Sequence, residues 1–305
     1  MLQHNRLLNH LNTLNFDHGF LRWLRTYLSQ RNFSVRIDNN FGRRVVATSG
    51  VPQGSVLGPL LFASFMGSID FESDLVQCVK YADDITLVES IETPSQQLLT
   101  SAYIKEKFVS AGLKLNMMKC NEMLIQRSVL PQNQVTTSVF STRDKLCILG
   151  FMFSKSLSWD IQICDILKRA ARRLYIIRCL KPIISQSELI IVYHSIVTSL
   201  ILYASPAFGN LPVGLLLSLE RFQNRAHKLI CGRGCTCDKF PSLSSVLQTR
   251  GLSFLFKCES EVNHPLHHLV PKRLPRSNHF CMPFSSTNRR LNSFFPWFCA
   301  RANFV

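Results

Sequence analysis

"KYADDITLVES", residues 80–90, places two adjacent aspartates between short runs of β-prone residues. "LVQCVKY" before the pair and "ITLVE" after it favour extended chain, so the whole predicts a β-hairpin with Asp83 and Asp84 at its tip. They are the only neighbouring acid pair in a 305-residue chain of formal net charge +16. Side chains alternate faces along a strand, so adjacent aspartates do not normally share one geometry. A turn relaxes that rule. Carboxylates fixed at such a turn suit hard divalent cations such as Mg²⁺, which take oxygen ligands and keep waters and substrate phosphates in their shell. Two-metal phosphoryl transfer needs anchoring of this kind. The same two residues also read as a solvated acidic turn.

A second stretch lies just upstream. "SGVPQGSVLGPLLF", Ser49 to Phe62, begins as a Gly/Pro loop and becomes an apolar helix, expected from about Val56 to Ile69. Gly50, Gly54 and Gly58 let backbone approach a ligand closely, and the Gln53 amide both donates and accepts. Without the lysine of GxxxxGK[ST] it is not a nucleotide P-loop. Two prolines exclude a helix-packing GxxxG. An ordinary loop-to-helix junction fits these residues equally.

Charge divides the chain. Residues 1–160 carry 16 basic and 13 acidic side chains, whereas residues 161–305 carry 19 and 6. The basic excess points to a polyanionic partner, nucleic acid before an acidic membrane surface. Eleven irregularly spaced cysteines and a polar Met1–His10 segment point to a reducing intracellular setting, nuclear or cytoplasmic, and not to secretion. Leu189–Leu219 lacks Asp, Glu, Lys and Arg, but Pro206, Gly209 and Pro212 interrupt it before the ~20 residues a bilayer span requires. It predicts a buried helix, and no membrane is expected as partner.

Helical periodicity runs through Leu7, Leu8, Leu11 and Leu14, and again through Phe20, Leu21, Leu24 and Leu28. "FSVRIDNNFGRRVVAT" predicts a hairpin turning at "DNN", a helix is expected at about Ser95–Ala111, and "GLKLNMMKCNEMLIQ" predicts a turn and strand. "KLCILGFMFSKSLSW" predicts a strand pair. In the helix that follows, Ile161, Leu167, Ala170, Leu174 and Ile177 oppose Lys168, Arg169, Arg172 and Arg173; a solvated face would also fit, but the basic excess of this half favours nucleic-acid phosphates. Two more helices are expected near 186–205 and 213–231. Beyond Cys231 the pattern breaks into short polar and aromatic pieces.

Together, "SGVPQGSVLGPLLF" and, about twenty residues later, "YADD" resemble motifs B and C of the reverse transcriptases of non-LTR (LINE-type) retrotransposons. "HNRLLNHLNTLNFDHGFLRWLRTYLSQRNFSVRI" is similar to the segment leading into motif B, and "GLKLNMMKC" resembles motif D. "LCILGFMFSKSLSW", "RRLYIIRCLK" and "LILYASPAFGN" resemble the strand pair and helices after the palm, and the tail is similar to the C-terminal stretch of these elements. The resemblance implies an α+β chain. A partial right-hand polymerase palm (1–130), an antiparallel sheet with packed helices, would precede a strand pair and helical thumb-like region (131–232) and a basic C-terminal region (233–305). It implies an RNA-directed DNA polymerase using Mg²⁺, or Mn²⁺, with RNA template, DNA primer and dNTPs. Asp83 would be the main metal ligand and Asp84 its weaker partner. Pro52, Gln53, Gly54 and Tyr81 would contact nucleotide and template–primer. Lys119 would protonate the pyrophosphate leaving group, although its own surroundings in sequence read equally as solvated surface.

The family also carries a motif A aspartate within "FDxVxH" followed by "LL". His4 and Leu7-Leu8 align with the end of that motif, which puts the aspartate just before Met1. Asp17 and Asp38, in a helix connection and a hairpin turn, do not replace it. With that ligand and the fingers outside these residues, the 305-residue polypeptide is expected not to be a competent polymerase by itself. The alternatives are a non-catalytic nucleic-acid-binding remnant and an interaction product whose charge serves solubility. Cys231, Cys235 and Cys237, with Cys258, His264, His267 and His268, raise zinc, but their spacing is irregular. Phe294, Phe295, Trp297 and Phe298 suit base stacking or a core cap.

Overall fold

The computed structural model describes residues 2–29, 31–71, 76–90, 94–125, 140–234, 238–282 and 293–303. The chain is α+β and divides into two compact units, Met1–Leu146 and Cys147–Val305.

In the first unit, α1 (His4–Thr13) and α2 (His18–Leu28) bury Leu7, Leu8, Leu11, Leu24 and Leu28. Their spacing marks one face of each helix, but Leu14, expected on the same face, lies exposed at the C-cap of α1. Asp17 caps α2 by accepting from the Phe20 N–H at 3.0 Å. The expected hairpin forms as two short ladders, β1 (Asn32–Phe33) with β4 (Val45–Val46) and β2 (Arg36–Ile37) with β3 (Asn40–Phe41). Asp38, at φ 53°, makes the turn of the inner ladder. Then come α3 (Leu57–Gly67), the hairpin strands β5 (Val76–Tyr81) and β6 (Asp84–Glu89), and α4 (Pro94–Ser110). After α4 the strand expected near "NEMLIQ" is reduced to β7 (Asn121–Glu122), paired parallel with β8 (Ser141–Thr142). The antiparallel sheet implied by the resemblance is thus present as separate two-stranded ladders among the described residues. Next to them, Gln3 makes only an isolated antiparallel bridge with Ser49.

A tight hairpin of β9 (Lys145–Ile148) and β10 (Phe151–Ser154) leads into the second unit. Its two turn residues, Leu149 and Gly150, both have positive φ, as a primed turn requires. In α5 (Asp160–Leu180) the buried stripe is Gln162, Ile163, Ile166, Ala170, Leu174 and Ile177. Ile161 and Leu167, expected in that stripe, sit half-buried at its margin. The reason is Gln162: its side chain accepts from the Met152 N–H at 2.8 Å, so a polar residue turns inward. The helix expected over 186–205 is α6 (Gln186–Tyr193), a π-helical turn (His194–Thr198) and α7 (Ser199–Leu202). It ends before Ala204 at φ 53°, and α8 (Val213–Cys231) follows. No helix among the described residues is long and apolar enough to cross a membrane.

Sequence periodicity missed α9 (Leu243–Ser260), whose buried stripe is Leu243, Leu247, Gly251, Leu255 and Cys258. Two of those five are small residues that no hydrophobic pattern counts. Gly251 is small because α10 (Phe294–Ala302) presses the Phe298 ring against it; a Cβ there would lie 1.8 Å from that ring. Phe298 is 1% exposed, and Phe294, Phe295 and Trp297 pack half-buried in the same cluster. The tail aromatics form a core cap.

Candidate active site

The β5–β6 register pairs Tyr81 with Asp84, Lys80 with Ile85, Cys78 with Leu87 and Val76 with Glu89. Opposed residues share a face, so alternation sorts the hairpin into two. Val76, Cys78, Ile85 and Leu87 pack on the core of the first unit. Lys80, on that inner face, donates its Nζ to the Ile69 carbonyl and anchors the hairpin to the end of α3. Tyr81 and Asp84 stand on the outer face, and Asp83 occupies the two-residue tip with Ala82. Both carboxylates are exposed. Among the described residues neither carboxylate has a hydrogen-bond or ion-pair partner. Ala82 is held at φ 51°, a left-handed conformation that costs an L-residue roughly 1–2 kcal/mol.

The Gly/Pro loop is fixed from both ends. At its start the Gly50 N–H donates to the Leu2 carbonyl at 2.7 Å, and His4 Nε2 donates to the Gly50 carbonyl at 2.8 Å. At its end the Ser55 hydroxyl donates to the Pro52 carbonyl at 2.8 Å and accepts from the Gly58 N–H at 3.0 Å. One hydroxyl therefore closes the turn and caps the first turn of α3. Tyr27 lies beside it, and hydrogen bonding with Ser55 draws the phenol below its usual pKa. Gly50 and Gly54 take φ values of 83° and 79°, left-handed positions suited to glycine. Gly58 has a different reason: the Pro52 carbonyl sits where its Cβ would be, 2.5 Å away. Gln53 and Gly54 are presented to solvent, with Pro52 half-buried beneath them. Sequence reasoning missed Ser55 and Tyr27, and read Gly58 as room for a ligand when the room is taken by the Pro52 carbonyl. An S-x-x-G spacing at a helix start was the available signal for Ser55.

Lys119 lies in an exposed turn, its N–H donating to the Asn116 carbonyl at 2.9 Å. The structure does not bring its ammonium into contact with Asp83 or Asp84. In the second unit the four cations of α5 are not equivalent. Arg169 pairs with Asp165 at 3.3 Å, and Arg173 Nη1 donates to the Ile196 carbonyl in the π-helical turn. Lys168 and Arg172 are exposed, with no partner among the described residues.

Cys231 is half-buried at the end of α8, while Cys235 and Cys237 lie outside the described residues. Cys258 is fully buried 3.9 Å from His264 Nε2, and its carbonyl accepts from His267 Nδ1 at 2.9 Å. Burial pushes the Cys258 thiol pKa up. Among the described residues no group of three His, Cys, Asp or Glu side chains is placed to hold a metal ion.

The chain spans about a quarter of the length of a curated relative from Drosophila melanogaster, described as "Probable RNA-directed DNA polymerase from transposon BS". The two are 25% identical over 225 residues, covering 68% of this chain and 25% of the relative. The sequence model of the family "Reverse transcriptase (RNA-dependent DNA polymerase)" matches residues 1–153, half of the chain and all of the hairpin and loop described above. The chain belongs to the reverse transcriptase family.

Proposed function

We propose that this chain carries the palm of an RNA-directed DNA polymerase from a non-LTR retrotransposon and takes part in nucleotidyl transfer onto a primer 3′-hydroxyl. The observation that carries this reading is the exposed, unpartnered carboxylate pair at a strained hairpin tip, in the chain that also holds the pinned Gln53 loop. Two hard oxygen donors without protein partners fit Mg²⁺ or Mn²⁺ in donor chemistry, with Asp83 as principal ligand and Asp84 beside it. When bound, the cations supply Lewis-acid stabilisation of the attacking and leaving oxygens. The chain's own residues do the rest. Gln53 and Gly54, on their braced turn, meet the incoming nucleotide and the template–primer. Tyr81 shares the outer face with Asp84 and flanks the same substrates. Lys119 gives a proton to the departing pyrophosphate.

The resemblance supports a division into palm over 1–130, a strand pair and thumb-like helices over 131–232, and a basic region over 233–305. RNA template, DNA primer and dNTPs are the substrates. A specific observation also favours the second reading, in which this polypeptide alone binds nucleic acid with little or no synthesis. Asp83 and Asp84 are two carboxylates, and among the described residues no third metal-ligating side chain joins them. Positioning and electrostatic stabilisation are nearly all that such a site contributes, so a site held by two carboxylates alone would work orders of magnitude more slowly than one with a third ligand.

Primer extension by the 305-residue chain with Mg²⁺ or Mn²⁺ tests both readings. Trace synthesis abolished by Asp83→Asn is expected. Synthesis untouched by that substitution overturns the assignment of the carboxylates, and robust Asp83-dependent synthesis overturns the need for a third ligand from elsewhere.

A further inference from the structure

Within the second unit, α5 and α8 enclose a surface pocket of about 300 Å³ lined by Leu167, Ser218, Arg221, Phe222 and Arg225. Four of the five come from one face of α8, at positions i, i+3, i+4 and i+7. Phe222 is 3% exposed and forms the floor, with Leu167 of α5 as the apolar wall. Arg221 and Arg225 stand exposed at the rim, and among the described residues neither has an ion-pair partner. The neighbouring acid is turned aside: Glu220 Oε1 accepts from Ser242 Oγ at 2.9 Å and from the Ser244 N–H at 3.1 Å, capping α9. The Arg225 guanidinium lies 5.6 Å from the centre of the Phe222 ring, which fixes its stem over the floor. Lys181 Nζ donates to the Leu229 carbonyl at 2.6 Å and ties the C-terminal ends of α5 and α8 together. Helical spacing puts Arg178 further along the flank of α5 that Leu167 occupies.

We infer that this pocket binds one nucleotide unit of a nucleic-acid strand, its phosphodiester on Arg221 and Arg225 and its sugar or base against Leu167 and Phe222. Two unpaired guanidinium forks match phosphate oxygens bidentately. The apolar surface is recessed beneath them, which suits a ring or sugar entering the pocket. An anionic membrane would instead need apolar side chains protruding beside the cations. The surroundings reinforce the attraction, since residues 147–305 carry 20 basic and 7 acidic side chains. The polyanion-contacting surface therefore shifts from the α5 quartet, half of which is internally engaged, to the α5–α8 groove. This inference rests on the nucleic-acid reading proposed above but not on Asp83 or Asp84.

The test is fluorescence anisotropy of a labelled single-stranded RNA and of an RNA–DNA hybrid against the full chain, in EDTA, across a salt titration. The double variant Arg221→Ala/Arg225→Ala is expected to weaken binding ~10-fold or more and to lower the salt slope by about 1 to 2. Arg221→Lys/Arg225→Lys should keep the slope and lose part of the affinity, because charge remains while the fork is gone. Arg250→Ala/Arg276→Ala removes the same charge from exposed positions elsewhere in the unit and should change binding less than about twofold. Equal losses in the two alanine pairs would overturn the inference. So would a loss seen on anionic vesicles and not on the oligonucleotides. Because the titration runs in EDTA, without divalent cation, failure of the metal reading and failure of the pocket are separable.

Discussion

Gly58→Ala places a methyl group 2.5 Å from the Pro52 carbonyl oxygen and 2.9 Å from Ser55 Oγ. Neither neighbour is a free chain end: the carbonyl is backbone, and the hydroxyl is committed to Pro52 and to the Gly58 N–H. Relief requires Pro52 to move by more than half an ångström, which breaks or stretches both hydrogen bonds. At about 0.5–1.5 kcal/mol each, their loss costs roughly 1–3 kcal/mol. Alanine returns at most about 1 kcal/mol through its helix propensity. The net expectation is a destabilisation of up to about 2 kcal/mol once the full propensity gain is subtracted. Gly67→Ala at the other end of α3 is the internal control, because a Cβ there meets nothing within 4 Å. It should be neutral or stabilising by up to about 1 kcal/mol. Urea denaturation of both variants measures the difference, and hydrogen exchange at the Gly58 amide reports whether the cap has opened. If Gly58→Ala is as stable as Gly67→Ala with the Gly58 amide still protected, the Ser55 clasp does not hold the Gln53 loop.

Three further outcomes are expected. Ala82→Gly relieves the left-handed backbone at the hairpin tip and, after the glycine's larger unfolded-state entropy, should stabilise the chain by about 0.5 kcal/mol in urea titration. Gly251→Ala drives a methyl into the Phe298 ring and should destabilise by about 1–3 kcal/mol, with Phe298→Leu restoring part of the loss. Burial pushes Cys258 upward and Cys299 to about 12. Raised thiol pKa values mean less thiolate at pH 8, so both should resist iodoacetamide while exposed Cys147, Cys164, Cys179 and Cys281 react, as read by mass spectrometry.

The hairpin was legible because β-prone runs flank the acid pair, although Val79 and Val88 in those runs face solvent. Helices α1 and α2 were legible through leucine spacing, while the Asp17 cap that starts α2 went unread. What stayed hidden depends on contacts distant in sequence. The stripe of α9 passes through Cys258 and through Gly251, whose smallness answers a ring forty-seven positions later. The α5 quartet looks uniform as a charge pattern. Arg169's partner, one turn earlier, was readable, whereas Arg173's is a backbone carbonyl in a π-helical turn that no composition predicts. Arg221 and Arg225 drew no notice because their meaning lies in Leu167 across the groove. The Ser55 clasp was hidden for the opposite reason: it is local, and looks like any helix start.

The most direct test of the central claim is Mn²⁺ binding by the 305-residue chain, followed by electron paramagnetic resonance in the presence of primer–template and dNTP. Bound Mn²⁺ is expected that Asp83→Asn removes, that Asp84→Asn weakens, and that Asp38→Asn, in the exposed turn of the β2–β3 ladder, leaves unchanged. Mn²⁺ bound equally by the parent and by the Asp83→Asn/Asp84→Asn double variant would contradict it.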